Sequence, residues 1–338
     1  MLKTRLRALA AGAASVPITL FGLVLITFLI GRVVPIDPVI AIVGDHAPPE
    51  VIARTRAELG LDRPLPVQFA IYVNRLLHGN LGRSVMTTHR VTTDIAHYFP
   101  ATIELATAAI IIAIVVGIPL GVFAATRQGS RFDHVVRVVS LGGQSVPVFV
   151  LGLLCLLVFY VKLGIAPGTG QQSVIYEGIV PSITGMHVVD AALTGHWGAF
   201  RDGLAHLAQP AFVLAYFSLG YITRMTRAFM LDALKGEYII TARAKGLSHA
   251  RIVWRHAFGN IAVGLITVLA LAYANLLGGA VLTETVFSWP GLGLYLTVSL
   301  LNADMNAVLG ATLVVGLVYI GLNLLADLSY RLFDPRVR

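Results

Sequence analysis

The sequence is poor in charge and nearly free of cysteine. Asp, Glu, Lys and Arg make up 12% of its 338 residues, about half the share of a soluble globular chain. That scarcity excludes an ordinary water-soluble fold. The single cysteine, Cys155, lies inside an apolar run. It forms no internal disulfide, and a small buried apolar role suits it. No Gly-x-x-x-x-Gly-Lys-Ser/Thr run is present, so nothing here cradles ATP phosphates in the P-loop manner. His-Glu-x-x-His and Gly-x-Ser-x-Gly are also missing, and the ten histidines are scattered without ligand-like spacing. No catalytic residue, no metal site and no cofactor bound by this chain is expected. No internal repeat or low-complexity run stands out.

What is present is apolar. Hydrophobic residues make up 57% of the chain, and the mean hydropathy is +0.80. Apolar runs of about 20 residues recur, enough to cross the hydrocarbon core as helices. A closed barrel would instead show short alternating strands. The expected fold class is an all-α membrane protein with six transmembrane helices, near 13–34, 102–126, 135–163, 207–221, 261–286 and 307–330. Gln209 and Pro210 interrupt the start of the fourth. The basic, then apolar N-terminus imitates a signal peptide, but no small-residue cleavage site follows Phe28. An uncleaved first span is the better reading.

A net charge of +8 raises the question of nucleic acid, and the placement of the charges answers against it. Lys3, Arg5 and Arg7 precede the first span, and Arg127, Arg131 and Arg137 share a short connector. Arg224, Arg227, Lys235, Arg243, Lys245, Arg251 and Arg255 surround a third region, and Arg331, Arg336 and Arg338 end the chain. This is the positive-inside pattern. It places the N- and C-termini in the cytoplasm, and membrane lipid, not nucleic acid, around the chain. Three segments follow: the N-terminus and first helix (1–34), an extracytoplasmic loop (35–100) and a transmembrane core (101–338) with a basic loop near 224–260. The outer loop carries an amphipathic stretch at 51–59, a break at Pro64 and Pro66, and a short helix at 67–77. A second outer connector, 164–205, is rich in Gly, Thr, Ser and Gln and reads mostly as loop.

The segment 237–260 is a charged, helix-prone island between two membrane-length apolar runs. Strong helix formers run from 232 to 245, with Arg243 and Lys245 in the last turn, where cations suit the helix dipole. Gly246 stands where a residue of positive φ closes a helix. Ser248 is placed to cap a second helix over 249–258 by accepting a backbone hydrogen bond. On these signals alone, a solvated loop and a docking element weigh equally.

The run Tyr238-Ile239-Ile240-Thr241-Ala242-Arg243-Ala244-Lys245-Gly246-Leu247, followed by His256-Ala257 and Asn260, resembles the cytoplasmic loop of permease subunits of binding-protein-dependent ABC importers. The likeness is to the dipeptide, oligopeptide and nickel branch. The superfamily's literal Glu-Ala-Ala is replaced by Ile240-Thr241-Ala242, and its Leu-Pro-Asn by Phe258-Gly259-Asn260. The branch's other motifs are similar to Pro35-Ile36-Asp37-Pro38, Leu59-Gly60-Leu61-Asp62-Arg63-Pro64, Gly79-Asn80-Leu81-Gly82-Arg83-Ser84 and Phe99-Pro100-Ala101-Thr102-Ile103-Glu104-Leu105. Two further ones resemble Glu284-Thr285-Val286-Phe287-Ser288-Trp289-Pro290-Gly291-Leu292-Gly293 and Asp334-Pro335-Arg336. The long first outer loop resembles that of the first of the branch's two paired permeases.

The resemblance implies the type I ABC importer permease fold and a non-catalytic subunit of a bacterial inner-membrane importer. Its implied partners are a homologous second permease, two ATP-binding subunits or domains, which hold ATP and Mg, and an extracytoplasmic substrate-binding protein. Peptides are the implied cargo, with nickel chelates, glutathione or another small solute as the alternative. The element 237–260 would dock in a groove of the ATPase. The implied coupling residues are Glu237, Thr241, Ala242, Arg243, Ala244, Lys245, Gly246, His256 and Asn260.

Glu104, Glu284, Asp327 and Lys162 lie in or near the spans, where a lipid-facing charge is costly. Lys162 can snorkel to the interface. Glu104 and Glu284 belong to the shared motifs and suit gating or a structural hydrogen bond to a neighbouring helix. Gln144, Ser145 and Asn275 either line the pathway or make helix-packing contacts. An ion-coupled secondary transporter would need a mid-span relay of ionisable groups, and a membrane enzyme would need a nucleophile or metal constellation. Neither is present in the sequence.

Overall fold

A computed structural model describes the backbone of residues 2–33, 38–44 and 46–333, with side-chain surroundings for 17–32, 39–40, 43–44, 46–57, 60–142 and 146–325. The motif residues Pro35, Ile36, Asp37 and Asp334-Pro335-Arg336 lie outside the described residues, as do the side chains of Gln144, Ser145 and Asp327.

The described chain is helical, with no strand. Its elements are α1 (Leu2–Val33), α2 (Pro38–Val43), α3 (Pro49–Leu59), α4 (Leu65–Leu77), α5 (Val91–Thr126), α6 (Arg131–Ser145) and α7 (Val148–Cys155). There follow α8 (His187–Leu193), α9 (Trp197–Leu234), α10 (Glu237–Ala244), α11 (His249–Arg251), α12 (Phe258–Phe287), α13 (Leu292–Leu301) and α14 (Met305–Phe333). Two stretches with π-helical bonding, Leu156–Lys162 and Ile252–Ala257, continue α7 and join α11 to α12. Among the described residues three helices are long and apolar enough to cross a membrane: Val91–Thr126, His249–Phe287 and Met305–Leu325. Shorter apolar helices occupy Pro17–Arg32, Val148–Lys162 and Leu292–Leu301.

Several expected boundaries move, each for a local reason. The third expected span, 135–163, is not one helix. Val146 takes an extended conformation (φ −97, ψ 123) ahead of Pro147, because a residue preceding proline is pushed out of the α region. The fourth, expected at 207–221, lies within the 38-residue α9, which runs straight through Pro210. Proline is tolerated inside such helices where neighbouring helices re-satisfy the freed carbonyl. The connector 164–205 is mostly loop, as expected, with α8 and the start of α9 set into it. The short outer helix begins at Leu65 rather than 67, with Pro66 in its first turn, the one place in a helix that suits proline.

The chain divides into two compact units, Met1–Phe99 with Leu292–Ile320, and Pro100–Gly291 with Gly321–Arg338. In the first, Val91, Ile95, Leu292, Tyr295, Ala307 and Ala311 form a buried core. Asp304, fully buried, caps the start of α14 through the Ala307 N–H at 3.2 Å. The same carboxylate accepts from Ser84 Oγ at 2.5 Å and from the Val85 N–H at 2.8 Å, which pins the Gly-Asn-Leu-Gly-Arg-Ser loop to α14. In the second unit, α9 and α12 are the central pair, with α6, α7 and α8 packed around α9.

Candidate functional site

The charged island forms a compact two-helix corner. α9 stops at Leu234, the chain turns through Lys235 and the extended Gly236 (ψ 145), and α10 begins at Glu237. The expected single helix over 232–245 is therefore two, broken where glycine makes helix continuation costly. Glu237 sits in the first turn of α10 and Arg243 in the last, both favourable against the helix dipole. The end of α10 is a Schellman closure: Gly246 N–H donates to Arg243 O at 2.9 Å and Leu247 N–H to Ala242 O at 3.3 Å. Gly246 has φ +72, and a Cβ there would meet open space. Backbone conformation, not crowding, demands glycine.

The second half differs from expectation in two ways. Ser248 starts the next helix with its backbone carbonyl, which accepts from the Ile252 N–H at 3.0 Å, but its hydroxyl makes no capping bond. That helix does not end at 258. It runs on through the π-helical turn Ile252–Ala257 into α12, because the apolar run continues and nothing after Phe258 breaks it.

One face of the corner is anchored. Ile239 and Ala242, one turn apart on α10, are buried with Val122 and Ala125 of α5, Met230 of α9, and Ile252, Val253, Ala257 and Ile261. Ala242 thus faces the protein's own core. The other face is open: Glu237, Thr241, Arg243, Ala244, Lys245 and Gly246 are exposed, and Ile240 is 63% exposed among them. His256 is half-buried in the π-helical turn, and Asn260 is exposed in the first turn of α12. Among the described residues, nothing covers this face, an apolar centre with a charged rim.

A buried ion pair braces the stem of this corner. Asp133, at the start of α6, is 1% exposed. It receives a two-pronged bond from Arg227 of α9, Nε to Oδ1 at 2.6 Å and a terminal nitrogen to Oδ2 at 2.8 Å. The Gly129 N–H adds a bond at 3.0 Å, and Asp133 N–H donates to Ser130 Oγ at 3.2 Å, capping α6. The Arg227 hydrogen bonds hold the Asp133 carboxyl down at about 2. Arg224, one turn earlier on α9, donates to Ser140 O at 2.9 Å. These two arginines fasten α6 to α9.

At the far ends of α5 and α12 the charged groups are enclosed instead. Glu284 is fully buried and accepts from Thr102 Oγ1 of α5 at 2.7 Å. Its carboxylate fills the space that a Cβ at Gly291 would need. Trp289, also fully buried, donates its indole N–H to Ala101 O at 2.8 Å. Ser288 takes a left-handed conformation (φ 49), and Trp289 N–H closes α12 on Glu284 O at 2.8 Å. Glu104, one turn along α5 and 5% exposed, accepts from the Val188 N–H at 2.7 Å and from Gln171 Nε2 at 3.1 Å. It serves the first free N–H groups of α8 in place of a local cap. Asn275 is exposed on α12. Among the described residues no group of histidine, cysteine, aspartate or glutamate could hold a metal ion.

The family described as "Binding-protein-dependent transport system inner membrane component" matches residues 117–338. A second description, the N-terminal part of such a membrane component, matches residues 5–106. The chain belongs to this transport family. The probable D,D-dipeptide transport system permease protein of Escherichia coli is 42% identical over 94% of this chain and 93% of its own length. The di/tripeptide transport system permease protein of Pseudomonas aeruginosa is 43% identical over 95% of each. The dipeptide transport system permease protein of Escherichia coli is 40% identical, again over 95% of each. The chain is thus an inner-membrane component of a binding-protein-dependent transport system, a permease among peptide ABC-importer permeases.

Within that family frame, the sequence passed over Asp133, Arg227 and Trp289 as individuals. Ser130-Arg131-Phe132-Asp133 has the spacing of a capping box, a readable signal for Asp133. Nothing local links it to Arg227, 94 residues away.

Proposed function

We propose that this chain is the transmembrane permease subunit of an ATP-driven importer, passing dipeptide- and oligopeptide-like solutes inward by alternating access. The observation that carries the reading is α10: a helix closed at Gly246, anchored by Ile239 and Ala242 and bare on its opposite face. The basic side of the chain is its cytoplasmic side, both termini included. Six segments cross the membrane: α1, α5, the broken pair α6–α7, α9, the long helix ending in α12, and α14. The segment 35–100 is extracytoplasmic, and 101–338 is the permease core.

Glu237, Thr241, Arg243, Ala244, Lys245 and Gly246 meet an ATPase subunit, with His256 and Asn260 beside them. Ala242 holds the helix in place from below. A compact helix pair transmits a rigid-body displacement that a flexible loop could not, and rim charges set the register of docking. Glu104, Glu284, Gln144 and Asn275 belong to the pathway or its gating framework. A homologous second permease, two ATP-binding subunits holding ATP and Mg, and an extracytoplasmic binding protein complete the machine. Hydrolysis takes place in those partners. The dipeptide names of the relatives favour peptide cargo over nickel chelates or glutathione.

Co-purification with the candidate ATPases tests the docking. Gly246→Pro abolishes the positive φ and the Gly246 N–H bond, and Glu237→Arg reverses a rim charge. Both are expected to lose the ATPase while wild type retains it. If both assembled and transported like wild type, the assignment of α10 would fail.

A further inference from the structure

The first unit holds an open cleft of about 1030 Å³ whose walls include four arginines, Arg32, Arg75, Arg83 and Arg90, together with His78. No carboxylate lies among the described residues that line it. No ion pair to any of the four is present among the described residues either. Four like charges around one cleft repel one another, and an anion among them relieves that repulsion.

The setting specifies the anion. Arg32 stands in the last turn of α1, an apolar helix whose Ile18, Phe21 and Ile26 are 56–70% exposed and suited to lipid tails. Its guanidinium lies 5.2 Å from the centre of the Phe28 ring. Phe28 and Leu309 supply an apolar wall below the arginines, and α1 meets α14 closely there: a Cβ at Gly31 would fall 2.6 Å from a Leu309 methyl. Phe28 in turn packs on Phe69 and Tyr72 of α4 at ring-centre distances of 5.2 and 5.7 Å. Burial pushes the Tyr72 phenol up to about 12, so it stays an uncharged donor at the cleft edge. The cleft is apolar where it borders a spanning helix and cationic where that helix leaves the bilayer.

We infer that this cleft binds the phosphate headgroup of an anionic phospholipid, with Arg32 and Arg75 as its principal ligands and an acyl chain lying along Phe28 and Leu309. Guanidinium forks match phosphate oxygens in pairs, and basic pockets beside membrane helices are suited to such headgroups. The inference rests on α1 and α14 lying in the bilayer, not on the import reaction.

The test uses the full-length chain in neutral detergent, titrated with phosphatidylglycerol, phosphatidylcholine or inorganic phosphate. Melting midpoint and lipid retained in native mass spectrometry are the readouts. Phosphatidylglycerol should bind at least about tenfold tighter than phosphatidylcholine, and R32Q/R75Q should weaken it by about tenfold or more. R32K/R75K should fall between wild type and R32Q/R75Q, since the charges remain while the paired fork bonds are lost, and any defect in folding is thereby separated. R63Q, outside the cleft lining, should match wild type. Equal binding of the two lipids, or unchanged phosphatidylglycerol binding by R32Q/R75Q, would overturn the inference. So would a stabilisation reproduced in full by inorganic phosphate, which would make the cleft a small-anion site. If R32Q/R75Q kept its lipid but lost affinity for the substrate-binding protein, the arginines would be a protein contact and the lipid assignment wrong.

Discussion

The two ends of α5 and α12 use charge in opposite ways. At one end Glu104 and Glu284 are buried and hydrogen-bonded to Val188, Gln171 and Thr102. At the other, Glu237, Arg243 and Lys245 stand on an exposed helix above an apolar anchor. Val122 lies 18 residues beyond Glu104 on α5, a separation of roughly 27 Å along a helix axis, close to one hydrocarbon thickness. A saturated carboxylate cannot recruit a partner without breaking bonds it already makes. An open one can. Enclosed charge therefore builds the framework, and on α10 the bare charge around the bare Ile240 marks where another protein is expected.

The sharpest way to break the framework half of this comparison is Trp289→Ala. It empties a fully buried indole site and leaves the Ala101 carbonyl without its donor, so a loss of about 3–5 kcal/mol is expected. Yield of folded protein and melting midpoint check it. Next comes Arg227→Ala, which leaves Asp133, 1% exposed, with only the Gly129 N–H and the more distant Arg137, at an expected cost of roughly 2–3 kcal/mol. The same pair predicts acid sensitivity. Asp133 sits at about 2 when folded, against an ordinary value of 3.8. Its contribution is therefore complete above the ordinary value and lost as pH falls from there through about 2. Wild type should show this loss in melting scans, and Asp133→Asn should flatten it over that interval.

Gly246→Ala should cost about 1 kcal/mol, because open space surrounds the position and only the positive φ penalises a side chain. Hydrogen exchange should show α10 fraying while α12 stays protected. The smallest effect on stability belongs to Ile240→Asp. At 63% exposure, it should change stability by no more than about 0.5 kcal/mol.

Much of this was legible from composition and local pattern, and the rest was not for identifiable reasons. Gly246 read correctly because positive φ is a property of one residue and its neighbours. The outer helix before Gly60 read nearly to its boundary for the same reason. The break at Val146-Pro147 was hidden because apolar composition continues unchanged across it. The passage of α9 through Pro210 was hidden for the converse reason, since tertiary packing overrides a local breaker. Glu104 read as a costly charge, yet the α8 amides that satisfy it are 84 residues away. Ala242 and Ala244 look alike in sequence, and only the packing under α10 turns one inward and the other out.

The central claim, that the bare face of α10 is a working contact, is tested most directly with Ile240→Asp in the assembled importer. Peptide-stimulated ATP hydrolysis and the melting midpoint of the permease are measured on the same preparation. The account predicts stimulation reduced by about tenfold or more, as for loss of an apolar contact at the centre of an interface, with the midpoint unmoved. Full stimulation by Ile240→Asp would contradict it, as would a stimulation loss that merely follows a fall in midpoint.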